Sequence, residues 1–346
     1  MTAHEGLVFG GFLILIIVLL IIDIGVLNKK DTEVSFKHAL LYTIIWVSLA
    51  LGFWALIHFF GDEIHGPENL DQLQALVTKY SHPIVLTNDF EESLQLYRSN
   101  LGLEFITGYI IEYSLSVDNV FVFLMIFFSF GVKKIYYHRI LFWGILGAII
   151  FRFLFIFISS ALIQQFEWIL YLFGALLVFT GIKMFIERNH HGQIDTKHHP
   201  VIRFVSRFFK VDREYEGRKF FIRKNGKLYV TSMFIVLMVI EFSDVIFAVD
   251  SVPAIFAVTK DPFMVYFSNI FAIIGLRSLF FLIMNVVNKF RFLKIGLSAL
   301  LVFIGLKMLV HHYIEITTVQ SLLVILSILV ISVIASLIIP EKKQAA

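Results

Sequence analysis

No cysteine occurs among the 346 residues of this chain. That excludes disulfides, thiolate metal ligands and dithiol redox chemistry on it. Charged residues make up only 16%, well below the quarter or so of an ordinary soluble domain. Neither a Gly-x-Ser-x-Gly elbow nor a His-Glu-x-x-His helix is present, so the commonest nucleophilic and zinc hydrolases are excluded by motif. No histidine lies deep in an apolar run. These absences point away from an enzyme. What is abundant is apolar surface: 58% hydrophobic residues including 39 Phe, and a mean hydropathy of +0.84. Such a chain is an integral membrane protein.

Nine apolar runs are long enough to span a bilayer, at 7–27, 39–60, 103–130, 139–163, 167–187, 230–258, 264–287, 292–311 and 319–339. The first carries Asp23 and is followed by no small-residue cleavage site, so it reads as a retained helix. Lys and Arg alternate sharply across the crossings. One set of loops holds 22 and the other only Lys79, Arg98 and Lys260. The basic side faces the cytoplasm by the positive-inside rule, which places the N-terminus outside and the C-terminus inside. The pI of 8.9 therefore reports membrane orientation, and no nucleic-acid partner is expected.

The informative residues are acids where lipid disfavours them. Glu112 and Asp118 lie in the third run, and Glu241, Asp244 and Asp250 in the sixth. A charged carboxylate at the bilayer centre costs about 2.5–3.5 kcal/mol, so five would cost on the order of 15 kcal/mol if left unpaired. The default reading is an ion or proton path. The competing one is structural, with each acid locked to an arginine or serine. Asp23, near the end of its run, has two readings as well: a buried group, or one that snorkels to the interface.

Residues 175–184 (ALLVFTGIKM) and 299–308 (ALLVFIGLKM) are identical at eight of ten positions. Upstream, Ala148–Arg152 resembles Ala272–Arg277, and Ser116–Val120 resembles Ala248–Val252. Runs 3–5 thus repeat as runs 6–8. An odd number of helices per unit means that the second copy enters from the opposite face. The expected fold is an all-α membrane protein of about nine helices with an inverted three-plus-three repeat and a site at the repeat interface. Its segments are 1–60 (two N-terminal helices), 61–102 (an outward acidic loop), 103–187 (the first repeat), 188–229 (a basic cytoplasmic loop), 230–312 (the second repeat) and 313–346 (the last helix and tail).

On regular helices Glu241 and Asp244 share a face, but Asp250 lies half a turn round and about 13 Å along the axis from Glu241. Glu112 and Asp118 are about 120° and 9 Å apart. Either the helices break near the aspartates or the acids form a ladder of sites. Asp250, Ser251 and Pro253 read as a fresh helix start, and Asp118–Asn119 suits a cap, so a break is expected in the second copy above all. Arg152 and Arg277 occupy matching places and are expected to pair with carboxylates, leaving a formal charge of −3. Asn119, Ser243, Ser251 and Asn269 could add neutral oxygens. This is a hard, all-oxygen donor set suited to Mn2+, Mg2+ or Ca2+.

Gly108–Glu112, Ser116–Phe121, Glu241–Ala257 and Phe303–Met308 resemble the TerC family, in its Alx-like branch. The resemblance covers nearly the whole chain. It implies a multispan protein of the bacterial inner membrane in the wider LysE-type transporter group. Such proteins are associated with manganese efflux and with metal loading of exported proteins. It also implies Glu112, Asp118, Glu241, Asp244 and Asp250 as the metal-handling residues. The redox role sometimes attached to the family finds no thiol and no cofactor motif here. The stretch 66–100 is longer than the family pattern leads one to expect. Leu70, Leu73 and Leu76, with Leu94 later, suggest a short amphipathic helix there, without assigned chemistry.

In the basic loop, His190, His191, His198 and His199 suit a metal or pH sensor, or merely a solvated linker. Residues 220–229 read as a hairpin around Asn225–Gly226 at the lipid surface. Two functions follow. The first is a secondary transporter exporting a divalent cation, Mn2+ foremost, with proton exchange as its coupling. The second is a non-transporting metal or pH sensor, or an assembly partner for metal loading that works with another membrane protein. The transported ion and the oligomeric state are not encoded in any motif.

Overall fold

The computed structural model describes residues 2–27, 35–166, 168–187, 207, 210–212, 219–224, 227–284, 292–310, 313 and 316–339. Its helices are α1 (Ala3–Leu27), α2 (Phe36–Phe60), α3 (Leu70–Tyr80), α4 (Phe90–Ser129), α5 (Tyr137–Gln165), α6 (Trp168–Glu187), α7 (Ser232–Phe256), α8 (Pro262–Met284), α9 (Leu293–Val310) and α10 (Thr318–Ile338). Among the described residues eight helices are long and apolar enough to cross a bilayer, and α9 offers a shorter apolar stretch. The protein is an all-α, multi-pass integral membrane protein.

Helix starts follow local chemistry. Asp89 accepts from the Glu92 N–H at 2.8 Å, and Glu91 and Glu92 favour the positive helix end of α4. A capping box of Thr317 and Gln320 opens α10. At 40 residues, α4 is about 60 Å long, twice the hydrocarbon thickness. It begins at Phe90 rather than at 103, so its first turns and α3 stand within the stretch predicted as loop. Helix α3 buries Leu73, Val77 and Tyr80 and exposes its other face.

The bundle surrounds α8, whose residues are buried almost all round. An aromatic cluster joins it to α1 and α2, with Phe12 and Phe267 ring centres 4.1 Å apart and Phe53 and Phe271 4.6 Å apart. This is one use of the high phenylalanine content. Helices α4 and α8 lie along each other, as do α7 and α5, and α6 packs closely on α9. The α6–α9 contact needs glycine: a Cβ on Gly305 would sit 2.7 Å from the Gly174 carbonyl oxygen. Phe59, Phe179, Ile331 and Leu337 face outward, as a lipid-facing surface requires.

A small sheet precedes α7. Strand β2 (Phe221–Lys224) pairs antiparallel with β3 (Lys227–Thr231), and β1 (Lys210–Asp212) pairs parallel with β3. The expected hairpin is present, its Asn225–Gly226 turn lying outside the described residues. Phe221 packs on Phe234 at the start of α7, with ring centres 4.8 Å apart.

The expected helix break is absent. Helix α7 runs unbroken from Ser232 to Phe256 with Pro253 inside it, and α4 passes Asp118–Asn119 without interruption. Neighbouring helices can make an internal proline tolerable in a membrane bundle. Asp250 does not act as a cap; its side chain instead accepts a hydrogen bond from Thr180 of α6 at 3.0 Å.

Candidate cation site

Midway along the bundle, four helices converge on the buried guanidinium of Arg152 on α5. Its Nη1 donates to Glu112 Oε1 of α4 and to Ser251 Oγ of α7 at 3.1 Å. Its Nε and Nη2 approach Asp244 Oδ2 and Oδ1 of α7 at 3.4 and 3.3 Å. Asn269 of α8 donates from Nδ2 to Glu112 Oε2 at 3.0 Å. Two carboxylates from the two proposed halves therefore share one cation. A pair this deep holds only while both sides are present, because either alone would leave a bare buried charge.

Glu241 lies one turn from Asp244 on α7, as the i, i+3 spacing requires. It faces α5 at Gly147, where an added Cβ would overlap its carboxylate. Among the described residues its Oε2, like Asn269 Oδ1 and Asn119 Nδ2, is buried without a hydrogen-bond partner. A narrow cavity lined by Asp244, Ile240, Gly144, Ala148 and Arg277 adjoins the cluster, with room for about one water molecule.

The structure does not gather all five acids. Asp118 is half-buried farther along α4, and Asp250 is half-buried and turned toward α6. Ser243 donates to the Val239 carbonyl of its own helix at 2.8 Å and so leaves the cluster. Among the described residues no three of His, Asp and Glu form a metal-holding group. Arg277 pairs with buried Asp23 of α1. Sequence spacing matched the two arginines but could not show that α1 packs beside α8. Among the described residues, Arg152 is the cation that pairs with carboxylates of the central cluster. His190, His191, His198 and His199 lie outside the described residues.

A second polar cluster, unassigned by the sequence, lies at the end of the bundle that carries α3. His65 Nδ1 meets Glu5 Oε1 at 2.9 Å, and its Nε2 meets Asp261 Oδ2 at 3.0 Å. His82 Nδ1 meets Glu104 Oε1 at 2.7 Å. Both rings are fully covered. Burial opposes charge on His65, yet Asp261 and Glu5 override it and raise its pKa to about 9. His82 is raised in the same way against burial by Glu104. Asp261 is lowered, burial notwithstanding, by His65 and His82. The available sequence signal was an excess of acids and histidines flanking the helix ends, but nothing in it linked residue 65 to residue 261.

The family model "Integral membrane protein TerC family" matches residues 97–344. The chain belongs to the TerC family. This TerC chain is 42% identical over 334 residues to the "Putative membrane-bound redox modulator Alx" of Salmonella typhi, covering 96% of this chain and 94% of that one. It is 40% identical over 337 residues to the protein of the same name from Escherichia coli (strain K12), covering 96% and 94%. It is 41% identical over 330 residues to an uncharacterized membrane protein of Myxococcus xanthus, covering 95% and 92%. No solved structure matches the TerC chain.

Proposed function

We propose that this protein is a secondary transporter exporting a divalent cation, with Mn2+ as its principal substrate and protons as the exchanged ion. The observation that carries the reading is the convergence of Glu112 of α4 and Asp244 of α7 on a single buried guanidinium midway along the apolar helices. Arg152 occupies the place of the cation in this closed arrangement. Ser251, Asn269 and Glu241 supply further hard oxygens, and Glu241 Oε2 and Asn269 Oδ1 have no hydrogen-bond partner among the described residues. Carboxylates of this kind bind a hard cation when deprotonated and release it when protonated. Asp118 and Asp250 stand apart as stations along the path rather than ligands of one centre.

The pairing of α4 with α8, of α7 with α5 and of α6 with α9 supports two inverted units exchanged by a twofold axis. The asymmetry of basic loops supports a bacterial inner-membrane protein with its N-terminus outside and its C-terminus in the cytoplasm. In that orientation the α3 end faces out. The protein is not an enzyme in this reading. A redox role of the kind named for the Alx relatives would have to operate without thiols, since this chain has no cysteine.

Purified protein in sealed vesicles carrying a manganese-sensitive dye tests the proposal. Manganese accumulation under an imposed pH gradient is expected, and Asp244→Asn should reduce it at least about tenfold. Binding of manganese without movement would overturn transport and favour the sensor or assembly-partner reading, for which the basic 188–229 segment is the strongest feature.

A further inference from the structure

The α3-end cluster has a geometry that specifies its protonation. A neutral imidazole has one N–H and one lone pair. Both nitrogens of His65 face carboxylate oxygens, at 2.9 and 3.0 Å. A neutral ring would aim its lone pair at one of them, whereas a doubly protonated ring donates to both. The partners belong to distant elements: Glu5 to the first turn of α1, Asp261 to the connection between α7 and α8. His82 differs: its Nδ1 meets Glu104 at 2.7 Å, while its Nε2 is buried with no hydrogen-bond partner among the described residues; Glu104 also accepts from Asn100 Nδ2 at 2.7 Å and from Thr259 Oγ1 at 2.6 Å. Thr259 Oγ1 in turn accepts from the Asp261 N–H at 3.2 Å. The two histidine units therefore share one loop.

We propose that His65 is the proton-binding centre of a latch at the α3 end of the bundle. Protonated, it ties α1, the turn after α2 and the α7–α8 connection into one lid, to which Glu104, bonded to His82 and Thr259, joins the segment before α4; loss of the His65 proton releases it. The latch is a regulation of the transport path proposed above and rests on that reading only for its purpose, not for its chemistry.

The surroundings leave His65 as the switchable group. His65 faces Glu5, Asp261 and the Tyr80 ring, whose centre is 5.1 Å away, and Lys79 acts on Glu5 from α3. His82 faces Glu104, Asn100, Asp261, Tyr80 and Tyr97, and a charged His65 opposes charge on it. Lys307 of α9 acts on Glu104 from the far side. Tyr80 is itself raised, by burial first and then by Asp261 and Glu5, so it stays neutral while His65 titrates. A protonated His65 offsets Glu5 and Asp261 at once; with the ring neutral, these two carboxylates face it uncompensated. With His65 raised to about 9, the latch is closed at neutral pH and opens as pH rises through that value.

The absence of cysteine gives a direct test. Met264 is fully buried, just inside α8 beyond Asp261, and Gln74 is exposed on α3. Met264→Cys and Gln74→Cys proteins are labelled with a maleimide in detergent, and the ratio of their rates cancels the pH dependence of the thiol. The ratio should rise about tenfold between pH 7 and pH 10. With His65→Gln added it should already be high at pH 7 and stay flat. Should that variant fail to fold, Asp261→Asn, with one weaker partner, should lower the midpoint by about one pH unit. A ratio that stays flat with pH in the His65-containing protein, or a rise that neither substitution moves, would overturn the latch. No metal enters the measurement, so its failure leaves manganese export standing, and the reverse holds too.

Discussion

The central cluster and the α3-end cluster solve the same problem with different cations. Each sets one buried positive side chain between two carboxylates from distant elements: Arg152 between Glu112 and Asp244, His65 between Glu5 and Asp261. Arginine keeps its proton at any accessible pH, so the central pairing yields only to a competing cation or to protons on the acids. Histidine surrenders its proton within a reachable range, so the outer pairing yields to pH itself. The depth of each cluster suits its cation: a site inside the membrane is held against pH drift, and one at the end is exposed to it.

The comparison is tested most severely by Arg152→Met. It strands two carboxylates and should cost about 3–5 kcal/mol, read as thermal unfolding in detergent. Adding Glu112→Gln and Asp244→Asn should recover most of the loss; no recovery would show that the cluster is not held by paired charge. The His65 pairing should contribute about 3 kcal/mol, from a pKa raised from 6.5 to about 9. A raised histidine pKa stabilises the fold fully below pH 6.5 and loses its effect as pH rises through 9. His65→Gln should therefore be destabilising at pH 6–7 and nearly neutral at pH 10, whereas the Arg152→Met deficit should barely change across that interval. Equal pH slopes would erase the distinction.

Gly147→Ala should cost about 1–3 kcal/mol by overpacking against Glu241. Glu241→Ala in the same chain should relieve it, as a double-mutant cycle of melting temperatures would show. The smallest effect, about 1 kcal/mol, is expected of Thr180→Val, which removes the hydrogen bond to Asp250. Were it as damaging as Arg152→Met, Asp250 would belong to the core network rather than to a separate station.

Much of this was legible in the sequence. Run length alone located the helices to within a few residues, except at α4, where polar residues 90–102 continue a helix that hydropathy does not see. The acids were found because carboxylates in apolar runs are anomalous. Their grouping was not readable. Spacing along α7 placed Glu241 beside Asp244, but the choice of Arg152 over Arg277 as partner of Asp244 depends on which helices touch. The expected break at Pro253 failed because a local start signal was outweighed by the packing of α7 on its neighbours. The histidine clusters escaped notice because residue 261 reaches residue 65 only after the chain has crossed the bundle several times, and His82 meets Glu104 across a loop and two helix ends that carry no pattern.

Composition and the order of apolar runs by themselves made this chain a multi-span membrane protein, with no thiol chemistry and with acids in its spans, since the cost of charge in hydrocarbon holds for any fold. Which acids face one another, which arginine answers them and which histidines are sealed from water were decided by tertiary packing. Those outcomes turn on contacts of about 3 Å between helices far apart in sequence, and a linear pattern carries no such distance.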